Sequence, residues 1–390
     1  MSKKSVLYSA IDDEVIRYEI NADLGTLERC ESVRVPAHVQ YAWPHPSGRY
    51  LYLATSNRGP GLKGERNHVC TYRIDPVSGK LTAHGEPRAQ YTRAVHICTD
   101  PAGKFLLSAH NLPRTGLTVN PINADGTIGE ECSQRERLDY GHYPHQVLAT
   151  PSGRAAVLVD RGNDAEHEKP EDPGALRVFS MKDGQLSALA VSAPNWGYGF
   201  GPRHVDFHPS QRWLYASLER QNQLQMFELD DEDRPGAEPN FIRETLADPK
   251  GKRPRQLAGA IHVHPDGKTV YVINRSDWKV DHHGGKAFGG GENSIAVFAI
   301  DQKTGAPELI QHASIPSFHV RTFAIDLSHQ LLVTASVKPM ALRRGGDIIN
   351  VPASLAVFRI AANGKLHLEQ NYDIEIGGRT QYWMGIVGLQ

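Results

Sequence analysis

Along the chain, runs of alternating apolar and polar residues rich in Val, Ile, Leu, Tyr and Phe are cut by a recurring Pro-x-Gly turn. The pattern reads YAWPHPSGRYLY at 41–52, VHICTDPAGKFLL at 95–107, QVLATPSGRAAVLV at 146–159, HVDFHPSQRWLY at 204–215 and IHVHPDGKTVYV at 261–272. A sixth copy, TFAIDLSHQLLV at 322–333, has lost the proline and the glycine. The turns fall at Pro46, Pro101, Pro151, Pro209, Pro265 and Leu327, so successive turns lie 50 to 62 residues apart. A spacing of this order marks a repeat architecture.

Between the copies runs a second phrase, as in HVCTYRIDPVSGKLTAHG from His68, ALRVFSMKDGQLSAL from Ala175, SIAVFAIDQKTGAPELI from Ser294 and SLAVFRIAANGKLHLEQ from Ser354. Its apolar positions alternate, and Asp-Gly, Ser-Gly or Asn-Gly stands where a hairpin must turn. Each unit therefore predicts four short antiparallel strands, and no stretch sustains the 3.6-residue period of a long amphipathic helix. Four-stranded sheets at this spacing are propeller blades, which bury their faces by stacking radially around a channel. Six full units are present, and the ends complete a seventh. The segment from Ser5 carries three outer strands, and TQYWMGIVG from Thr380 supplies the missing inner one. The expected fold is all-β: a seven-bladed β-propeller of four-stranded antiparallel blades, one domain over 1–390, closed by pairing of the N- and C-terminal strands so that no edge is left open.

Composition narrows the function classes. The 36 Gly and 25 Pro among 390 residues suit a protein made largely of turns. A formal net charge of −1 offers no general field for nucleic acid or an anionic membrane, so neither is expected as a partner. MSKKSVLYSA lacks an apolar core of signal-peptide length, and no run approaches a membrane span, so a cytoplasmic location is expected. Cys30, Cys70, Cys98 and Cys132 are widely spaced with no CxxC pair and read as reduced thiols.

The first strand of each blade lines the channel, so polar residues near the start of those strands meet in space. They are His38, Arg93 with His96, His142 with His145, Arg203 with His204, His262, and His319 with Arg321, while Arg379 precedes the last inner strand. Imidazoles and guanidinium groups aimed at one cavity make an anion site. His38, Arg93, His96, His262 and His319 are thus candidate substrate-binding residues. A His at this place also serves to tie neighbouring strands. His204 is assigned to that role, because strict alternation lets only one of Arg203 and His204 face the cavity. His208 and His264, just before the turn prolines, are expected to pack the turns. Arg203 and Arg321 are costly to bury without an anionic partner.

At 199–219, GFGPRHVDFHPSQRWLYASLE resembles the lactonase family of seven-bladed propellers, which includes bacterial 6-phosphogluconolactonases and the fungal type of carboxy-cis,cis-muconate lactonising enzyme. Gly-Pro-Arg-His, Phe-His-Pro, then Tyr and a strand-ending Glu form the most specific signature. Tyr143-Pro144-His145-Gln146-Val147, Asp160, His262-Val263-His264-Pro265-Asp266-Gly267, Ser294-Ile295-Ala296-Val297-Phe298 and Val320-Arg321-Thr322-Phe323-Ala324-Ile325-Asp326 support it, in order and over nearly the whole chain. The resemblance implies catalytic residues at His145, Arg203, Glu219 and Arg321, with no metal and no organic cofactor.

For a lactone, Glu219 or His145 would take the proton of an attacking water, while Arg203 and Arg321 would hold the substrate anion and offset the developing oxyanion. The expected activity is hydrolysis of a carboxylated or phosphorylated sugar-acid lactone in carbohydrate metabolism. The same groups suit a muconate-lactonising reaction on a polycarboxylate, and a non-catalytic interaction scaffold is the third reading. A closed ring can act as a monomer or a small homo-oligomer. Four insertions depart from the family pattern, near 57–67, 161–174, 276–293 and 338–353. All follow the second strand of a blade and are expected to wall the channel mouth. His282-His283, with Asp277 and Asp281, is read as a solvated loop, since adjacent residues of an extended chain point opposite ways. GGKAFGGGE lacks the GxxxxGK[ST] pattern of a phosphate loop.

Overall fold

The alternation before and after the first Pro-x-Gly turn folds as Val39–Pro44 and Tyr50–Ser56, antiparallel, with Val39 opposite Thr55 and Pro44 opposite Leu51. Gly48 takes φ +67° in that turn, a value that glycine adopts without strain. Every repeat builds the same hairpin and then adds outer strands. The computed structural model describes residues 4–59, 62–282, 284–345 and 347–389.

Among the described residues seven sheets form the blades, numbered here from the N-terminus, and two further two-stranded sheets lie outside them. Blade 1 pairs Ser5–Ile11 with Gln381–Gly388, Val6 facing Val387, so the two ends of the chain close the ring as expected. The innermost strands of blades 2 to 7 are Val39–Pro44, Arg93–Thr99, Pro144–Ala149, Pro202–Phe207, Gln256–Val263 and Val320–Ile325. Each contacts the next, and the last contacts Gln381–Gly388, which in turn touches Val39–Pro44. That closed cycle defines the channel. Blade 3 departs from the four-strand expectation, with three strands in its sheet. Gly129 and the charged pair Glu130–Glu131 interrupt the alternation there, and the edge is held by Gly129 N–H to the Pro121 carbonyl (2.8 Å) and by the Asn120 amide to the Gly129 carbonyl (3.1 Å). Two short 3₁₀ turns, Pro194–Gly197 and Pro249–Gly251, are the helical segments among the described residues, and no helix there is long and apolar enough to cross a membrane.

Apolar faces of neighbouring blades bury one another, as where Val6, Tyr8, Trp383 and Val387 of blade 1 meet Leu51, Leu53 and Tyr72 of blade 2. Burying such a side chain contributes about 1.5–3 kcal/mol. Two polar ties recur between blades. Second-strand tyrosines donate to glycine carbonyls in the outer turn of the next blade: Tyr8 to Gly79 (2.5 Å), Tyr52 to Gly126 (3.0 Å), Tyr215 to Gly305 (2.7 Å) and Tyr271 to Gly364 (3.0 Å). Turn histidines reach the next turn: His45 Nε2 to the Gly103 carbonyl, His208 Nε2 to Gly267 and His264 Nε2 to His329, at 3.0, 2.8 and 3.2 Å. His208 and His264 thus pack turns, as the sequence predicts.

Tyr215 is fully buried, so Tyr215→Phe leaves the Gly305 carbonyl without its hydroxyl donor. The expected loss of stability is about 1–3 kcal/mol, seen as a lower denaturant midpoint at unchanged slope.

Candidate active site

Each innermost strand carries an extra residue opposite the second strand it pairs with, offset in blade 3 by one on the second strand, Asn111. The extra residue is Tyr382 in blade 1, Gln40 in blade 2, Val95 in blade 3, His145 in blade 4, Arg203 in blade 5 and Arg321 in blade 7. In blade 6 the shift lies between Ala258 and Ile261, at Gly259 or Ala260. A β-bulge takes its residue out of the ladder and re-aims the side chain. Repeated around the ring, it brings side chains from separate blades to one mouth of the channel. Gly259 suits the crowded place it occupies: a Cβ there would come within 3.1 Å of Ile273 Cβ.

A second recurring position follows the end of the second strand in blades 4 and 5 and lies near it in blade 6, and holds Arg161, Glu219 and Arg275. Their side chains meet. Glu219 Oε2 accepts from Arg161 Nη1 at 2.8 Å, and Oε1 accepts from Arg275 Nη2 at 2.5 Å and lies 3.0 Å from Arg203 Nε. Backbone bonds fix the residue, its N–H to the Gly201 carbonyl (2.9 Å) and its carbonyl to Ala258 N–H (2.8 Å). Burial would raise the Glu219 carboxyl, but the charges of Arg161, Arg275 and Arg203 outweigh it and hold the pKa at about 2. The group is a carboxylate at neutral pH.

Opposite this cluster, Arg321 lies over the Tyr382 ring, 3.7 Å from its centroid, and donates from Nη1 to the Tyr382 carbonyl at 3.0 Å. Arg93 donates to Gln40 Oε1 (2.7 Å), to Asn111 Oδ1 (3.2 Å) and to the Tyr382 hydroxyl (3.1 Å). Arg93 and Arg203 are each 1 % exposed, Arg275 5 % and Arg321 6 %. Among the described residues, Glu219 is the one carboxylate in direct contact with these guanidinium groups, Arg161 included. Arg203 Nε and Nη1 and Arg275 Nε find no well-aligned acceptor, although Nε of Arg203 stands near Glu219. Arginine keeps its proton in proteins, so this buried excess of positive charge favours an anionic ligand.

Beside the arginines lie three buried imidazoles. The His204 ring is 5.2 Å from His145 and 5.8 Å from His96, and His96 is 3.9 Å from Tyr41. His96 belongs to blade 3 and His204 to blade 5, so they meet across the channel. Burial and then the neighbouring arginines push all three imidazoles well below their ordinary pKa, leaving them neutral. His204, expected to face away from the cavity, instead has its ring beside His145 and His96. The bulge at Arg203 breaks the alternation on which that expectation relied, and both residues face the channel.

The remaining candidates spread out. His262, the seventh residue of its strand, sits at the far end of the channel wall, with Nδ1 3.4 Å from Asp206 and its ring against Phe323. His38 contributes its backbone carbonyl, which accepts from Ser56 N–H and the Gln40 amide. His319 lies on the rim, 3.9 Å from Asp277, and burial pushes its imidazole down to about 3. His142 is exposed 3.8 Å from Asp172, and Arg379 pairs with Glu14, away from the channel. The described parts of the four insertions follow the second strands of blades 2, 4, 6 and 7. Two of them form hairpins, Lys279–His282 with Gly285–Phe288 and Met340–Arg344 with Asp347–Val351, which pack against each other. His283 lies outside the described residues. Asp277 is engaged by Arg255 at 2.5 Å, and among the described residues no three His, Cys, Asp or Glu side chains group closely enough to hold a metal ion.

Arg161, Arg275 and Tyr382 escape sequence reasoning. Each has a signal only when repeats are superposed: the first two share the place of Glu219, and Tyr382 that of Arg203.

The Glu219 pKa is depressed in the folded state, so its contribution to stability is present above the unfolded value, near 4.5, and is lost as pH falls towards about 2. A Glu219→Gln variant should unfold about 3 kcal/mol more easily at pH 7. The gap to wild type should close as pH falls through that window, as read from urea midpoints at each pH.

Residues 7–339 match the family described as "Lactonase, 7-bladed beta-propeller". The 6-phosphogluconolactonase of Bacillus subtilis (strain 168) is 28 % identical over 329 residues, covering 83 % of this chain and 84 % of the relative. That of Pectobacterium carotovorum subsp. carotovorum (strain PC1) is 27 % identical over 315 residues, covering 80 % and 82 %. Among solved structures, the periplasmic gluconolactonase PpgL of Pseudomonas aeruginosa superposes with a TM-score of 0.73 at 19 % identity, covering 99 % of this chain and all of the other, a likeness of fold. With seven blades closed end to end and a family match over most of its length, the chain belongs to the lactonase family of seven-bladed β-propellers.

Proposed function

We propose that this lactonase hydrolyses a sugar-acid lactone bearing phosphate or carboxylate, held at the channel mouth by Arg203, Arg275 and Arg321. The observation that carries the reading is the excess of buried guanidinium over carboxylate around Glu219. The curated relatives named 6-phosphogluconolactonase favour a phosphorylated substrate. His145 acts as the base that takes a proton from the attacking water. Its Nδ1 is buried without a partner, and its imidazole is neutral at pH 7. Burial and then the charges of Arg203, Arg161, Arg321 and Arg275 depress its basicity, so an anionic substrate that offsets those charges raises it when it is needed. Glu219, with a pKa of about 2 and three arginines on it, is a poor base; it holds those arginines in place. Arg203 and Arg321 stabilise the oxyanion of the tetrahedral intermediate. One chain supplies every group named, so no second copy is required. A cytoplasmic setting suits the four free cysteines, Cys30, Cys70, Cys98 and Cys132.

Proton release over a panel of lactones tests this. We expect 6-phosphogluconolactone to be turned over faster than its unphosphorylated counterpart. Arg203→Ala should lower kcat/KM by about 10²–10³-fold. The acid limb of kcat/KM should lie below pH 6.5, since the His145 pKa is lowered from that value. Equal turnover of neutral and phosphorylated lactones, unaffected by Arg203→Ala, would overturn the reading. Loss of conjugation in carboxymuconate would favour the lactonising reaction, and inactivity throughout would favour a scaffold.

A further inference from the structure

Hydrolysis of a lactone needs a proton at two places. Water gives one up as it attacks, and the ring oxygen must receive one as it leaves. His145 bulges from blade 4 and Tyr382 from blade 1, and in a ring of seven those blades stand on opposite sides of the axis. A substrate seated between them on Arg203 and Arg321 has the imidazole on one flank and the phenol on the other. The Tyr382 hydroxyl accepts from Arg93 at 3.1 Å and, among the described residues, donates to no protein acceptor. Its own proton is free to be directed at a ligand. Of the other groups converging there, the guanidinium groups do not release protons.

We propose that Tyr382 is the acid that protonates the ring oxygen as the lactone C–O bond breaks. The proposal rests on the lactonase reading. In the forward reaction the hydroxyl of water bonds to the carbonyl carbon and its proton passes to His145. The tetrahedral intermediate then expels the ring oxygen, which takes the Tyr382 proton. The new carboxylic acid ionises to solvent, and the imidazolium returns a proton to the phenolate. No oxidant, reductant or further co-reactant is consumed.

The surroundings suit a phenol that must part with its proton. Burial would raise its pKa, but Arg321, Arg93, Arg203 and Arg275 outweigh burial and bring it down to about 8. Of the strands packed against Gln381–Gly388, Val320–Ile325 brings Arg321 and Val39–Pro44 brings Tyr41, whose phenol burial pushes up to about 12. Ser5–Ile11 brings Tyr8, which is turned away to Gly79, and Leu331–Ser336 brings no charged group. A phenol at about 8 is still mostly protonated at pH 7, yet acidic enough to donate to an alkoxide.

Two measurements on the full chain test this, one of them independent of turnover. The ultraviolet absorbance of phenolate is titrated in wild type and in Tyr382→Phe, with and without inorganic phosphate. One tyrosine should ionise near 8 in wild type only, and phosphate should move it upward. For turnover, Tyr382→Phe should lower kcat by about 10²-fold or more on an alkyl-type lactone. It should leave an aryl lactone, whose phenolate leaves without help, nearly unchanged, with phosphate affinity retained. Equal losses on both lactones in an active enzyme, or no early-ionising tyrosine, would overturn the role of Tyr382 alone. Failure of wild type to open any lactone would instead overturn the lactonase reading, and this role with it.

Discussion

Glu219 brings guanidinium groups from three blades onto a single carboxylate: Arg161 at 2.8 Å, Arg275 at 2.5 Å and Arg203 at 3.0 Å. Such a cluster is stable only while its parts remain together, because removing the carboxylate leaves buried cations without a counter-charge. The carboxylate is nevertheless too little. It offsets one unit of charge while Arg203 and Arg321, nearly without solvent exposure, still face the channel. On the proposed reading, the site is therefore held in a state that an anion completes. Its attraction for such a ligand comes from an imbalance built into the fold rather than from a preformed contact list.

The backbone supplies the other half of the arrangement. A regular strand would send alternate residues towards the axis and away from it, and a seven-membered ring of regular strands would give a smooth wall. The extra residue in each innermost strand breaks that alternation at one height, so Gln40, His145, Arg203, Arg321 and Tyr382 project at a common level. Blade 6 carries no long side chain there. Ser217 Oγ donates to the Gly259 carbonyl at 2.7 Å, and Arg275, from the second strand, fills that sector instead. One repeated irregularity thus does for the propeller what separately evolved loops do on other scaffolds.

The blades were legible because strand alternation and a turn near a fixed spacing survive even where, as at Leu327, the proline is gone. The site was only partly so. Counting back six positions from Pro46, Pro101, Pro151, Pro209, Pro265 and Leu327 gives Gln40, Val95, His145, Arg203, Gly259 and Arg321. That count separates His145, Arg203 and Arg321 from His262, which stands three positions before its turn and lies deeper in the channel. Periodicity alone does not reveal it, because a bulge shifts side chains without changing composition. His204 was placed on the wrong face for that reason. Arg161 and Arg275 sit where strands run into the inserted segments, with no local motif to mark them. Tyr382 lies in the closing strand, where no Pro-x-Gly turn fixes the register.

His145 and Tyr382 answer to the same arginines in opposite senses. Arg203, Arg275 and Arg321 lower the affinity of both groups for a proton, which weakens the imidazole as a base and strengthens the phenol as an acid. An anion seated among those arginines reverses both shifts at once. In the proposed mechanism, binding then prepares the imidazole to take the water proton, at some cost to the acidity of the phenol. The two effects need not cancel in rate, because they act at successive steps. Basicity matters as water attacks; acidity matters once the tetrahedral oxyanion has drawn on the same positive field. With the proposed base and acid on opposite blades and the proposed anion site between them, one cluster of charge tunes both.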